Sequence, residues 1–194
     1  MPFIFKRLAL LMSIAAAFAA DKASFQAPAA ADMPHRQTVE RLTIGVDPYV
    51  SGDKVKLAFG KLVPSEYGVL PVLVVMRNDG AKAIQLRDLR VEYVGPGGAR
   101  ALATPAKDVR YAVGPDPLAG QRRAGPIPIR KKNPLDVWEI EGRAFSALML
   151  PPGNTASGFF YFNTALEPGS TLYVSGLAEA GSGRELVYFE IPLN

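Results

Sequence analysis

Apolar and polar residues along this chain alternate in short bursts separated by glycine and proline. Leu42, Ile44 and Val46 take one face of a strand that ends at Asp47-Pro48. Val55, Leu57 and Phe59 repeat the pattern over Lys54–Gly60, although a helical turn accommodates the same positions. Val69–Met76 is nearly continuous apolar and predicts a central strand buried on both faces, with Pro71 near its start, where a missing donor is tolerated. Asn78-Asp79-Gly80 reads as a turn, with Asp-Gly supplying the positive φ of a tight hairpin. Ile84–Val94 follows, with Leu89, Val91 and Tyr93 set against Arg90 and Glu92. Gly95-Pro96-Gly97-Gly98 turns the chain, and Ala99–Ala103 returns as a short strand.

Thr104 and Pro105 suit the N-cap and first position of a short helix reaching Val113. Gly114 to Pro134 carries prolines at 115, 117, 126, 128 and 134 and reads as a long loop. Leu135–Gly142 fits a helix or a strand, and Ala144–Leu150 an extended segment. After a turn at Pro151-Pro152-Gly153-Asn154, three strands are the clearest of all: Ala156–Asn163, Thr171–Leu177 and Glu185–Ile191, the last two joined by a hairpin loop over Ala178–Arg184. No repeat of 20–50 residues is visible. Many short strands without a βαβ rhythm predict an all-β protein: an antiparallel immunoglobulin-like β-sandwich over residues 38–194, with one or two short helices and a long Pro-rich loop.

The N-terminal end has a different character. Lys6 and Arg7 precede an apolar run of 11 residues, Leu8–Phe18, and Ala17-Phe18-Ala19 offers small residues for cleavage. These are the parts of a secretory signal peptide over residues 1–19, and the run is too short to span a membrane at about 20 residues. Residues 20–37 are rich in alanine and proline and read as a flexible lead-in. The expected location is periplasmic or extracellular, with no transmembrane segment after cleavage. Loss of residues 1–19 leaves 20 basic against 18 acidic residues, a net charge of +2 in place of +4. The basic balance of the whole chain is therefore no sign of nucleic-acid binding.

The residue inventory narrows the chemistry. There is no cysteine, so disulfides, thiolate nucleophiles and cysteine-bound metals are excluded. The single histidine, His35, falls in the lead-in, which leaves no folded base for a serine triad and too few ligands for zinc. Asp47, Asp53, Asp79 and Asp88 lie near turns but lack the spacing of a calcium loop. Glu139 and Glu141 would share a face if extended, the one arrangement here suited to carboxylate-dependent hydrolysis. On this reading there are no catalytic, cofactor-binding or metal-binding residues, and no cofactor.

Two binding features remain. Arg122, Arg123, Arg130, Lys131 and Lys132 cluster in the long loop, suited to an anionic surface or to plain solvation. On the C-terminal strands, Phe160 and Phe162 oppose Phe159 and Tyr161, Leu172 and Val174 oppose Tyr173, and Val187, Phe189 and Ile191 oppose Tyr188 and Glu190. An even hairpin would set Tyr173 opposite Tyr188, giving an outward row of Tyr161, Tyr173 and Tyr188. Such a row suits sugar stacking or partner docking, and equally cross-strand stabilisation or cover by the loop or helix.

The segments Gly45-Val-Asp-Pro-Tyr49, Gly68–Gly80, Leu150-Pro-Pro-Gly153, Ser157–Phe162, Leu172–Gly176 and Tyr188–Leu193 together resemble a group of uncharacterised exported bacterial proteins with immunoglobulin-like sandwich domains. The resemblance covers about residues 40–194 and implies a fold and a compartment, with no catalytic residues to carry over. The combined expectation is a non-enzymatic binding or interaction module of the bacterial envelope. Its partner would be an envelope protein or glycan and not nucleic acid. The alternatives are a hydrolase of envelope polysaccharide using Glu139 and Glu141, and a structural accessory subunit of an envelope complex.

Overall fold

A computed structural model describes residues 25–50, 52–111, 135 and 138–193. The expected long loop over Gly114–Pro134, with Arg122, Arg123, Arg130, Lys131 and Lys132, and the expected signal peptide over residues 1–19 lie outside the described residues.

The described chain is all-β, built from antiparallel strands in three sheets with a few short helices. Sheet A has the order β1 (His35–Val39), β2 (Leu42–Pro48), β3 (Leu70–Asn78), β8 (Thr155–Phe162). Sheet C has the order β11 (Phe189–Pro192), β9 (Thr171–Ser175), β5 (Arg90–Val94), β6 (Arg100–Leu102). A small sheet B joins β10 (Ala178–Glu179), β4 (Ile84–Gln85) and β7 (Met149–Leu150).

One core gathers side chains from all three sheets. Ile44, Val72, Val74 and Phe162 come from sheet A, Val91, Tyr93, Leu172, Val174, Phe189 and Ile191 from sheet C, and Ile84 and Leu150 from sheet B. The opposite side of sheet A carries a second core. Leu73, Val75, Phe159 and Tyr161 meet Val55, Ala58 and Phe59 of α1 (Asp53–Phe59), Val109 of α2 (Ala106–Val109) and Ile140 of α3 (Trp138–Gly142). β3 therefore has cover on both faces, which is the physical reason for its unbroken apolar run. Each such large side chain, fully removed from water, contributes about 1.5–3 kcal/mol before the entropy of ordering it.

Several expectations change. The segment expected as a strand over Lys54–Gly60 is instead the helix Asp53–Phe59, with Val55, Ala58 and Phe59 buried at i, i+3 and i+4 while Leu57 is 50% exposed. A strand would have placed Leu57 with its two apolar neighbours. The lead-in is not loose from residue 25 onward. Phe25 packs on Tyr49 and Phe159, Ala30 and Met33 are buried, and His35 begins β1, paired with Val46. Close approach makes this possible. A side chain at Gly45 would lie 2.5 Å from Met33 Cγ and 2.7 Å from the Ala30 carbonyl, so the 3-10 turn Ala30–Asp32 rests directly on β2.

The turn after β3 also works differently. Gly80 is not among the positive-φ glycines, and β3 does not pair with β4. Instead Asn78, almost completely buried, donates from Nδ2 to the carbonyls of Lys82 (2.8 Å) and Leu150 (3.0 Å), and its Oδ1 accepts the Gly80 N–H at 2.9 Å. One amide thus ties β3 to the approach to β4 and to β7. The β1–β2 connection is the tight hairpin instead. Val39 pairs with Leu42, and Glu40 (φ 48°) and Arg41 (φ 65°) fill a two-residue turn that usually takes Asn-Gly.

The flanks of the two large sheets differ. On one flank β1 approaches β11, and the Glu190 N–H donates to Gln37 Oε1 at 2.9 Å. On the other, the edge of β8 is occupied by non-strand backbone. Phe159 N–H donates to Arg143 (2.8 Å), and its carbonyl accepts Phe145 N–H (3.1 Å). The Tyr161 carbonyl accepts Thr104 N–H at 2.7 Å.

Candidate functional site

The outward face of sheet C is the described surface on which aromatic and charged side chains converge. Alternation along β9 sends Leu172 and Val174 into the core and leaves Tyr173 outward, half-buried among its neighbours. The register places Glu190 of β11 on one side of Tyr173 and Glu92 of β5 on the other, with Leu102 of β6 beyond Glu92. Arg100 reaches back along this row. Its guanidinium carbon lies 5.1 Å from the Tyr173 ring centre, and Nη1 bonds Glu92 Oε2 at 2.6 Å. Tyr188, one residue before β11, is 50% exposed and stands 5.1 Å from Tyr173, with the rings inclined at 30°.

Two of the three tyrosines expected on one face are therefore together, but the third is not. Tyr161 is 1% exposed and belongs to the second core, where it packs against Phe59 and Phe159 and its hydroxyl donates to the Ile140 carbonyl at 2.8 Å. Burial holds its phenol well above the ordinary range. The alternation of Phe159 and Tyr161 against Phe160 and Phe162 is as expected, but both sides of β8 are covered. The register also differs. Glu190, not Tyr188, opposes Tyr173, because the segment between β9 and β11 carries β10 out to sheet B and rejoins sheet C only at Phe189. Val187, expected inside, is accordingly 54% exposed.

Glu139 and Glu141 do not form a strand-face pair. They lie in α3, where residues two apart point to different sides, and Ile140 between them is the buried one. Trp138 is 76% exposed. Three of the acids near turns, Asp47, Asp53 and Asp79, form local ion pairs. Asp47 takes Lys54 Nζ at 2.6 Å, and Asp79 takes Arg77 Nε at 2.8 Å. Among the described residues no group of three or more potential ligands is placed to hold a metal ion. No described helix is long and apolar enough to cross a membrane.

Sequence reasoning missed Arg100 and Leu102 as members of the tyrosine face. Their signal was present in the alternation of Ala99–Ala103, but only the pairing Glu92↔Leu102 and Val94↔Arg100 assigns them to the face of Tyr173.

No family model matches the chain. No curated protein matches it either. Solved structures with a similar layout include a candidate lipoprotein (ycdA) of Bacillus subtilis subsp. subtilis str. 168, at 11% identity and TM-score 0.38, covering 81% of this chain and 38% of that one. A secreted protein of Mycobacterium tuberculosis, MPT63, is similar at 14% identity and TM-score 0.35, over 80% of this chain and 91% of the other. A candidate ApaA protein of Bordetella pertussis is similar at 15% identity and TM-score 0.34, over 86% and 93%. Likeness at this level carries no argument about ligand or activity.

Proposed function

We propose that this chain is an exported, non-enzymatic binding or interaction module of the bacterial envelope, an immunoglobulin-like sandwich that contacts its partner through the outer face of sheet C. The observation that supports it best is the Tyr173–Tyr188 pair, in ring contact on an exposed strand face between Arg100 and the unburied Glu190. A tyrosine pair offers flat apolar area with polar tips, and the neighbouring carboxylates and guanidinium supply hydrogen bonds in both directions. That combination suits a glycan hydroxyl array or a mixed polar protein surface. Export rests on the leader read in residues 1–19. A basic-loop contact with an anionic surface, through Arg122, Arg123, Arg130, Lys131 and Lys132, would add to it.

The test is retention on arrays of glycans, peptidoglycan and envelope extract. The double substitution Tyr173→Ala with Tyr188→Ala is expected to lower specific retention at least tenfold while leaving the thermal transition in place. Retention equal to wild type would remove this face from the account.

A further inference from the structure

The geometry points to a second binding site, adjoining the tyrosine face at Leu102: a cleft at the flank between the two large sheets, suited to the alkyl chain of an amphiphile with an anionic head. On the opposite flank β1 and β11 are bridged through Gln37 and Glu190. Here the start of β5, before its pairing with β6, and the edge of β8 border a gap spanned by the chain at Thr104 and flanked by the segment at Ala144. The space between them is about 320 Å³, within the range of small-molecule sites. Leu89, Leu102, Ala103, Phe145 and Phe160 supply much of its wall.

Three features single out the occupant. Phe145 and Phe160 stack at 5.2 Å and 25°, a firm apolar wall reaching from the surface toward the core between the sheets. Leu102, 65% exposed, stands at the rim, an apolar side chain left in water that an occupant would cover. Among the described residues Arg90 is the one charged member of the lining, and it has no ion pair with another of them. The described lining contains no carboxylate. A slender apolar tail fits the wall, and a single negative head at the rim meets the single cation. A cationic head would meet only like charge.

Binding of the neutral fluorophore N-phenyl-1-naphthylamine to the full chain tests this, with dodecanoate and dodecanol as competitors. Saturable emission at one probe per chain, displaced by both, is expected. Leu102→Glu, at a position already in water, should weaken dodecanoate at least tenfold without moving the urea midpoint. Arg90→Gln should weaken dodecanoate about fivefold and leave dodecanol unchanged. The Tyr173→Ala, Tyr188→Ala protein should keep the site, so its loss and the loss of the proposed envelope contact are separable. Absence of saturable emission, or equal displacement in wild type and Leu102→Glu, would overturn the assignment.

Discussion

The back of sheet A and the outward face of sheet C are built from the same kind of strand and end in opposite conditions. Each presents tyrosine on an antiparallel strand, Tyr161 on β8 and Tyr173 on β9. Behind sheet A, the 3-10 turn at Ala30–Asp32 and residues of α1, α2 and α3 turn Phe159 and Tyr161 into core. Over sheet C the outward residues keep water contact, with Tyr188 half exposed and Leu102 more so. Alternation tells which residues share a face. Whether the face is roofed is decided by distant segments, here ones as far apart in sequence as Met33 and Ile140.

The sharpest way to break this contrast is to truncate one tyrosine on each face. Tyr161→Ala empties a fully buried site and strands the Ile140 carbonyl, so it should cost about 3–5 kcal/mol. Tyr173→Ala should cost no more than about 1 kcal/mol, since only cross-strand and ring contacts are lost. Urea unfolding of the two variants decides, and equal losses would erase the distinction between roofed and open faces.

Asn78→Ala tests whether a single amide joins the sheets behind this contrast. It leaves the buried Leu150 carbonyl and the part-buried Lys82 carbonyl without their donor, for an expected loss of about 2–4 kcal/mol in the same assay. Gly45→Ala probes the roof itself. The new methyl meets the Ala30 carbonyl, so about 1–3 kcal/mol is lost. Limited proteolysis should also cut earlier in the Phe25–Met33 segment. An unchanged cleavage pattern would mean that the segment does not depend on β2 for its position.

Far from both faces, an exposed cluster gives a pH signature. Arg184 bonds Glu179 at 2.7 Å and Glu40 at 2.6 Å, and Lys82 bonds Glu179 at 2.8 Å. These bonds, Arg184 first, hold the Glu179 carboxyl near 2 against an ordinary 4.5. The folded state thus binds that proton less readily than the unfolded chain. Its contribution is complete above about 4.5 and disappears as pH falls toward about 2. Denaturant midpoints of wild type should fall more steeply across that window than those of Glu179→Gln, and parallel curves would assign the acid response elsewhere. The smallest expected effect is a gain. Arg41→Gly relieves one left-handed residue in the β1–β2 turn and should add up to about 1 kcal/mol, read as a higher melting temperature.

Much of this architecture was legible in residue order. The period of two marked β2, β5, β8 and β9, and the uninterrupted apolar run marked β3 as doubly covered. Less legible was anything set by contact at a distance. Val55, Leu57 and Phe59 fit two periodicities, and only the exposure of Leu57 separates them. The Ala/Pro-rich lead-in carries little bulk beyond Phe25 and Met33, yet a glycine beneath it lets Ala30 and Met33 pack directly on β2. Tyr173 and Tyr188 were recognisable as neighbours, whereas the two-residue difference in register and the presence of Arg100 and Leu102 beside them came from strand order.

The occupied edge of β8 has a consequence for how copies of this chain meet. An eight-residue strand at a sheet margin is normally a template for another molecule's backbone. Here three of its outward peptide groups are already satisfied by Thr104, Arg143 and Phe145 from the same polypeptide. An intruding strand would have to displace those bonds before gaining its own, so the fold carries its own guard against edge-to-edge polymerisation along this margin.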